Sequence, residues 1–208
     1  MRIFYDCEFL ENGRTIRPIS IGLCTEDEGG PTYYAVNDEL LDDLSAGATL
    51  YREVVKHPWV FEHVVPHLPL KEARNGTGPM YHAKGLGSTA SNSFHLDPEN
   101  PHVLPLRLIR AQVREFVLQF EDPQLWAWYG AYDHVMLAQL VGGRMIDLPR
   151  GFPMWTNDIR TLAALTGPEA QATAPEQASA AHHALNDARH DRDLYDYYAP
   201  LVDVRRLA

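Results

Sequence analysis

Three short segments rich in β-branched and aromatic residues open the chain, and they limit its fold more than any other feature. They cover residues 2–9, 15–24 and 32–36, and turn-forming residues separate them at 11–13 (ENG) and 28–31 (EGGP). Strand-like segments joined by such turns are typical of antiparallel hairpins. The pattern therefore predicts a three-stranded antiparallel meander at the start of the chain.

Beyond the meander, strand-like and helix-like segments alternate. Short apolar runs predict two further strands, at 124–129 and 155–158. Apolar residues at helical spacing predict helices at 39–44, 59–68, 104–120, 132–140, 159–165 and 184–201. Strands separated by helices form right-handed parallel crossovers by default. We therefore predict an α/β fold in one domain, residues 1–208, whose mixed five-stranded sheet has three antiparallel and then two parallel crossover strands and is flanked by helices.

Two segments show neither the strand period nor the helix period. Residues 71–103 contain several glycines with scattered serine, threonine and asparagine, which predicts a long inserted loop. Because this segment shows no core pattern, deleting about residues 74–100 is expected to leave the fold intact. Residues 168–180 are rich in alanine, glutamine, proline and threonine and predict a linker.

The charge balance excludes one common way of binding nucleic acids. The chain has 18 Lys and Arg against 28 Asp and Glu, a formal net charge of -10, so a broad basic surface along a phosphate backbone is not expected. The sequence also shows no apolar run that approaches a membrane span and no secretion signal at its start. Since two cysteines, Cys7 and Cys24, are too few for a disulfide scaffold, we expect a protein of the reducing cytoplasm.

Two carboxylates lie close together at the end of the first predicted strand. Side chains alternate across a strand, so Asp6 and Glu8 project from one face while Cys7 projects from the other as a small core residue. Neighbouring carboxylates repel each other unless a cation lies between them. The pair therefore indicates either a cation site or a solvated strand end.

Two later segments add further acids and a histidine. Asp133 follows the strand at 124–129 in the first turn of a helix, where it could cap that helix or reach the same sheet edge as the first strand. In HHALNDARHD, His182 precedes Asp187 by five positions. If the last helix begins after the histidine, Asp187 projects from its first turns while His182 lies in the preceding loop and can reach the same site.

These segments together resemble a known family. The runs FYDCEFLENGRTIRPISIGL, LWAWYGAYDHVML and HHALNDARHD resemble, in this order, the three motifs of the DEDDh 3'-to-5' exonucleases, which have the ribonuclease H-like fold. The closer resemblance is to the polyadenylate-specific exoribonuclease AS group, over about residues 1–70 and 104–200. The sequence departs from that group at Cys7, where threonine is usual, and at 71–103, which has no counterpart there.

The resemblance implies a mechanism and a set of site residues. Four carboxylates without a thiolate suit Mg²⁺ or Mn²⁺, and two such ions would be held by Asp6, Glu8, Asp133 and Asp187. The general base would be His182. Phe9 and Leu10, directly after Glu8, and Tyr132 are candidates for contacts with the substrate bases, and the alternative for these three residues is packing in the core. The expected activity is release of nucleoside 5'-monophosphates from the 3' end of single-stranded RNA, with adenylate preference implied by the group. The group also implies a homodimer.

Three alternatives remain open on the sequence. The same residues could serve a DNA 3'-5' exonuclease, because the contact that discriminates RNA is to a 2'-hydroxyl. A metal phosphohydrolase could instead use the pair His190 and Asp191 with His63 and His67. The third alternative is a catalytically silent nucleic-acid-binding module of the same fold.

Overall fold

The computed structural model describes residues 1–41, 49–73, 78–83 and 92–202. Its strands are β1 (Arg2–Glu11), β2 (Ile16–Thr25), β3 (Thr32–Asn37), β4 (Tyr81–His82), β5 (Ser93–Phe94), β6 (Val103–Leu104), β7 (Gln124–Ala127) and β8 (Thr156–Asp158). Its helices are α1 (Thr49–Val54), α2 (Pro58–His63), α3 (Leu106–Leu118), α4 (Ala131–Gly142), α5 (Ile159–Thr166), α6 (Pro168–Ala172) and α7 (Ala184–Tyr198). Half of the predicted helix at 39–44, residues 42–44, lies outside the described residues, and a 3-10 turn covers Asp38–Leu40.

The main sheet has the strand order β6-β3-β2-β1-β7-β8. The pairs β1/β2 and β2/β3 are antiparallel, whereas β1/β7 and β7/β8 are parallel. This confirms the predicted mixed α/β sheet flanked by helices. The predicted number of five strands is wrong, because the two residues of β6 add a sixth strand parallel to β3. None of the helices in the described ranges is long and apolar enough to cross a membrane.

Alternation along β1 decides what each face of the sheet contacts. Ile3, Tyr5 and Cys7 are buried in a cluster with apolar residues of α3 and α4. Phe4 belongs to a different cluster, formed with residues of α5 and α7. Since side chains two positions apart share a face, the face of Phe4 continues into Asp6. Asp6 and Glu8 therefore lie on the side of the sheet that α7 covers.

A glycine in β2 allows α7 to approach the sheet closely. A Cβ at Gly22 would clash with the backbone of Ala184 and Leu185, the first residues of α7. Gly22 pairs with Asp6 across the β1/β2 ladder. The close crossing therefore brings the N-terminal end of α7 next to the acidic end of β1.

The segment 71–103 is not a simple loop where the structure describes it. It contains the hairpin β4/β5 and isolated bridges from Leu70 to Leu96 and from Glu72 to Pro79. Phe94 is fully buried and Leu96 nearly so, in a core cluster with α1 and α2. The premise that this segment contributes nothing to the core is therefore wrong, and deleting about residues 74–100 would remove two core residues. Phe94 and Leu96 stand singly among polar residues, so no periodic pattern marks them.

We expect Phe94→Ala to lower the free energy of unfolding by about 3–5 kcal/mol, the usual cost of deleting a buried phenyl ring. The ring packs against Tyr51 and Phe61 at centroid distances of 4.8 and 6.2 Å. Urea denaturation measures the change. The matched control is truncation of the exposed His82 to alanine, and a Phe94→Ala effect as small as that of the control would contradict the burial.

The predicted linker at 168–180 is also wrong in its first residues, which form α6. Gly167 ends α5 with a φ of 94°, and Pro168 occupies the first position of the next helix. Proline is favoured there because its missing N–H would have no partner in the helix. The Gly-Pro pair that predicts the end of one helix thus also begins another.

Candidate active site

The first two acids of the site come from β1. Glu8 is 8% exposed, and Asp6 Oδ2 is a buried oxygen with no hydrogen-bond partner among the described residues. A buried carboxylate oxygen without a partner is costly unless a cation compensates for it. The sequence indicates either a cation site or a solvated strand end for this pair. The burial contradicts the solvated strand end.

Asp133 joins the site from the first turn of α4. Its carboxylate does not cap its own helix but accepts a hydrogen bond at Oδ1 from the backbone N–H of Cys7, at 3.1 Å. The side chain is buried, at 7% exposure. This bond ties α4 to β1 between Asp6 and Glu8.

The start of α7 supplies the histidine and the last predicted acid. The helix begins at Ala184, and His183 is its N-cap, whose Nδ1 accepts from the N–H of Asn186. His182 lies just before the cap with a φ of 63°. Its backbone N–H donates to Asp187 Oδ2 at 2.8 Å. The five-residue spacing therefore corresponds to a loop residue followed by an acid in the first helical turn.

These side chains converge. His182 Nδ1 lies 3.8 Å from Glu8 Oε1. Glu8, His182 and Asp187 each offer a ligand atom, and these atoms all lie within 4.8 Å of one another. The cavity that they line together with Asp6 has a volume of about 650 Å³. It is large enough for a small ligand or the end of a chain.

Burial and mutual repulsion raise the proton affinity of the acids. The pKa of Asp6 lies well above its ordinary value, first because of burial and then because Asp133, Glu8 and Asp187 repel its charge. Burial, followed by repulsion from Asp187 and Asp133, raises the pKa of Glu8 to about 8. Burial raises the pKa of Asp133 to about 7, although the Cys7 N–H opposes the shift. The ionised cluster therefore requires a compensating positive charge.

We expect the metal-free protein to lose stability as the pH rises from about 4 to about 8. The pKa values of Glu8 and Asp133 rise from ordinary values of 4.5 and 3.8 to about 8 and about 7 on folding. The folded state thus binds more protons than the unfolded state in this window, and the free energy of unfolding falls with pH. Divalent cations favour the ionised carboxylates, so Mn²⁺ should raise Tm more at pH 8 than at pH 6.

Thermal unfolding at the two pH values, in EDTA and in Mn²⁺, measures this difference. Substituting the exposed Asp193 with asparagine is the control and should leave the pH dependence unchanged. A Tm in EDTA that is higher at pH 8 than at pH 6 would contradict the charge balance of the site.

The structure adds a fifth acid, Asp191, which ends the segment HHALNDARHD and to which the resemblance assigns no metal. It is 5% exposed, lines the same cavity and accepts a hydrogen bond at Oδ2 from the N–H of Trp128 at 2.8 Å. Burial raises the pKa of Asp191 well above its ordinary value. The available sequence signal is its position four residues after Asp187, which places both acids on one helix face.

Two residues of the phosphohydrolase alternative, His190 and Asp191, line the same cavity as the acids, but the four residues of that alternative do not form a metal-ligand group. His63, His67 and His190 are absent from the group of potential metal ligands that the described residues bring together. Asp191 holds a backbone N–H instead of pairing with them. The arrangement therefore gives no support to a metal site built from His63, His67, His190 and Asp191.

An aromatic residue on α2 also borders the site. Trp59 is 50% exposed, and its ring lies edge-on to that of His182 at a centroid distance of 5.0 Å. The ring of His63 lies 5.0 Å from Trp59 and 5.8 Å from His182. The helical pattern at 59–68 does not distinguish Trp59 from a core residue, so sequence reasoning missed it.

The three predicted base-contacting residues differ in accessibility. Phe9 and Tyr132 lie nearly parallel, with ring centroids 6.2 Å apart and an interplanar angle of 16°. Tyr132 is 56% exposed, whereas Leu10 is 5% exposed and packs in the core cluster that includes residues of α1 and α2. The prediction that Leu10 contacts a base is wrong, because these helices cover its face of the sheet.

The mixed sheet and the acids at the end of its first strand agree with the 3'-5' exonuclease class that the sequence predicts. Comparisons with known proteins identify the family. The model of the 3'-5' exoribonuclease Rv2179c-like domain matches residues 88–199, a range that includes Asp133, His182 and Asp187. The chain belongs to this Rv2179c-like 3'-5' exoribonuclease family, and the predicted class of enzyme is confirmed.

Two individual relatives carry the same description as the family, 3'-5' exoribonuclease. The 3'-5' exoribonuclease Rv2179c of Mycobacterium tuberculosis (strain ATCC 25618 / H37Rv) is 35% identical over 195 residues, which cover 91% of this chain and 88% of the relative. The 3'-5' exoribonuclease MT2234.1 of strain CDC 1551 / Oshkosh shows the same identity and coverage. Among solved structures, S. pombe Pop2p in its Mg²⁺- and Mn²⁺-bound form aligns with a TM-score of 0.39 and 11% identity, covering 98% of this chain and 86% of that chain.

Proposed function

We propose that this chain is a two-metal-ion 3'-to-5' exoribonuclease of the DEDDh type and the AS group. Its substrate is single-stranded RNA, with adenylate preferred, and its products are nucleoside 5'-monophosphates. The observation that carries the proposal is the proximity of acids from β1, α4 and α7, which repel the charge of Asp6, together with the unpartnered Asp6 Oδ2 and the position of His182 beside Glu8.

The donor set fits hard divalent cations. The carboxylates of Asp6, Glu8, Asp133 and Asp187 offer only oxygen, which Mg²⁺ and Mn²⁺ prefer. The raised pKa values of Asp6, Glu8 and Asp133 support a cation as the missing positive charge. When bound, two such ions lower the pKa of the attacking water and offset the charge on the scissile phosphate and the departing 3'-oxygen.

His182 is suited to accept the proton of the attacking water. Burial lowers the pKa of His182, with further lowering by His63 and His67 and an opposing effect of Asp187, so the imidazole is neutral at pH 7. Asp187 accepts a hydrogen bond from its backbone N–H, which holds the residue in its left-handed conformation. A neutral, positioned imidazole beside the acids is what general-base catalysis requires.

Aromatic residues can hold an RNA end without a basic surface. Phe9 and Tyr132 form a nearly parallel pair after Glu8, and Trp59 borders His182 on another side. Bases stack on such rings whatever their sequence, and cations held by the acids would supply the electrostatic attraction for the terminal phosphates. This combination reconciles a net charge of -10 with a nucleic-acid substrate.

We expect Trp59→Ala to raise KM for a short RNA by about 5- to 150-fold, since a stacked base contributes about 1–3 kcal/mol. The turnover number should fall much less, because Trp59 supplies no proton acceptor and no metal ligand. Steady-state kinetics on a labelled oligoadenylate separates the two constants. Trp59→Phe keeps an aromatic face and should recover most of the affinity, and an unchanged KM in Trp59→Ala would remove the stacking role.

The decisive experiment is a gel assay on 5'-labelled oligoadenylate, mixed-sequence RNA and single-stranded DNA, each with Mg²⁺, Mn²⁺ or EDTA. We expect a ladder that shortens from the 3' end of RNA only when metal is present, and a 3'-phosphate or a duplex end should block it. Protein carrying Asp6→Asn, purified in parallel, controls for contaminating nucleases. Undiminished cleavage in EDTA, or cleavage of a circular strand, contradicts the proposal. Faster degradation of DNA than of RNA favours the DNA exonuclease instead.

Two further parts of the proposal follow from the AS group. The protein acts as a homodimer, and a monomer in light scattering at micromolar concentration would contradict this. It works in the cytoplasm, which is consistent with Cys7 and Cys24 being buried free thiols.

A further inference from the structure

One group of side chains at this site includes a nitrogen donor, which is not a typical ligand of Mg²⁺. Glu8 and Asp187 offer carboxylate oxygens, and His182 offers an imidazole nitrogen, all within 4.8 Å of one another. We propose that these three residues form a Zn²⁺ site, and that Zn²⁺ bound there switches the enzyme off. The inhibitory part rests on the proposed function, in which His182 is the general base.

The donor set favours zinc over the metals expected for catalysis. Imidazole and carboxylate are standard Zn²⁺ ligands, and one histidine with two carboxylates leaves a fourth tetrahedral position for water. A site that contains nitrogen binds Zn²⁺ more tightly than Mn²⁺. Mg²⁺ prefers oxygen ligands and keeps several of its waters, so it gains little from the imidazole.

The geometry is close to what such a site needs. Ligand atoms about 2.1 Å from a tetrahedral Zn²⁺ lie about 3.4 Å apart. His182 Nδ1 and Glu8 Oε1 are already 3.8 Å apart, before any ion draws them together. The His182 side chain is 37% exposed, whereas that of Glu8 is 10% exposed, so the imidazole is the ligand with room to adjust.

The remaining ligand is already held in place. The carboxylate of Asp187 accepts hydrogen bonds from His182 N–H at Oδ2 and from Gln177 Nε2 at Oδ1. Each carboxylate oxygen has a second lone pair, so these bonds orient Asp187 without preventing it from binding a metal. The bond to His182 also fixes the spacing between the two α7-terminal ligands.

Inhibition follows from the use of the imidazole. A nitrogen that binds Zn²⁺ cannot accept the proton of the attacking water. Zn²⁺ would also occupy Glu8 and Asp187, two of the carboxylates assigned to the catalytic ions. The same residues therefore support turnover with Mg²⁺ and block it with Zn²⁺. With Mg²⁺ the imidazole of His182 is free to act as the base, whereas with Zn²⁺ it is a metal ligand.

Isothermal titration of the metal-free full-length protein with ZnCl₂, and separately with MgCl₂, tests the site without any assay of activity. We expect wild type to bind Zn²⁺ more tightly than Mg²⁺. Loss of an outer-shell partner alone weakens metal binding by about 10- to 100-fold, so His182→Ala should weaken Zn²⁺ binding by about 100-fold or more. Its Mg²⁺ affinity should change little.

Two further variants control for effects of the neighbouring histidine and for loss of folding. His183→Asn removes the adjacent imidazole but keeps a side chain that can cap α7, and it should bind Zn²⁺ like wild type. His182→Asn accommodates a positive φ and replaces His182→Ala if the alanine variant does not fold. Equal Zn²⁺ affinity in wild type and the His182 variant would overturn the proposed site.

The inhibitory part is tested by adding Zn²⁺ to wild type degrading RNA in fixed Mg²⁺. We expect the rate to fall with Zn²⁺ and to recover with excess Mg²⁺, whereas turnover supported by Zn²⁺ alone would overturn the inhibition. If the protein degrades no RNA, the proposed function fails while the titrations still decide the Zn²⁺ site. If Zn²⁺ binding is independent of His182 while Mg²⁺-dependent cleavage occurs, the inference fails and the proposed function stands.

Discussion

Replacing His182 with alanine is expected to lower the turnover number by about 10²- to 10⁴-fold, the usual cost of removing a general base. None of the four carboxylates assigned to the catalytic ions is removed, so Mg²⁺ affinity and KM should change little. The imidazole lies 3.8 Å from Glu8 and borders the cavity, where an attacking water could reach it. Single-turnover kinetics with saturating enzyme measures the chemical step.

The neighbouring histidine provides the matched control. His183 caps α7 through Nδ1, and its ring stacks on Tyr34 at a centroid distance of 4.3 Å. His183→Ala should therefore cost about 1 kcal/mol of stability, typical of a lost cap, and have a much smaller effect on turnover than His182→Ala. If His183→Ala damages turnover more while folding is unaffected, the assignment of the base within the third motif is wrong.

The pH profile gives an independent check on the same residue. A general base works only when deprotonated, so the rate should fall on the acidic side of its pKa. Burial lowers the pKa of His182 from its ordinary value of 6.5, which places this acidic limb below pH 6.5. The limb should disappear in His182→Ala, and its persistence there would assign it to another group.

Asp6→Asn should abolish metal-dependent activity and at the same time stabilise the metal-free protein. Asp6 Oδ2 is buried without a partner, and repulsion from neighbouring acids, together with burial, raises the pKa of Asp6. The amide removes a charge from the cluster and can donate a hydrogen bond to a neighbouring carboxylate. Without one of its ligands the metal site should fail, with a loss of turnover of at least about 10⁴-fold, the upper end of the cost of losing a general base.

Calorimetry in EDTA measures the stability half of this prediction. For a chain of this size, each kcal/mol of added stability should raise Tm by roughly 2–4 °C. In excess Mg²⁺ the order should reverse, because wild type gains stability by binding metal and the variant does not. Asp193→Asn is the control, since that acid lies on α7 but its side chain is 54% exposed. A metal-free Asp6→Asn protein that melts below wild type would show that the carboxylate is satisfied without a cation.

The local pattern of the sequence was sufficient for much of the site. Alternation along β1 places Asp6 and Glu8 on the face opposite Cys7, as expected for a strand. The spacing of His182 and Asp187 corresponds to a loop residue and an acid in the first turn of α7. These relations depend only on the side-chain repeat of a strand or a helix, which is set by residues close together in the sequence.

Other features of the site were decided by which elements pack against each other. Leu10 follows Phe9 on β1, and either could serve as a base contact until α1 and α2 are seen to cover Leu10. In the sequence, Trp59 is an ordinary apolar residue of a predicted helix. Only the packing of α2 places its ring against that of His182. Asp191 becomes part of the acidic cavity because its helix docks beside Trp128.

The sequence by itself determined the order and type of the main strands and helices, and it singled out the acids and the histidine that line one cavity. Only the tertiary structure decided that Phe94 and Leu96 complete a core, that β6 adds a sixth strand, and that Gly22 lets α7 approach β2. The physical reason is that hydrophobic periodicity is a local property, whereas burial depends on surfaces contributed by distant parts of the chain. Single apolar residues in a polar segment and a close backbone crossing leave no periodic signal, so they become visible only once the elements are packed.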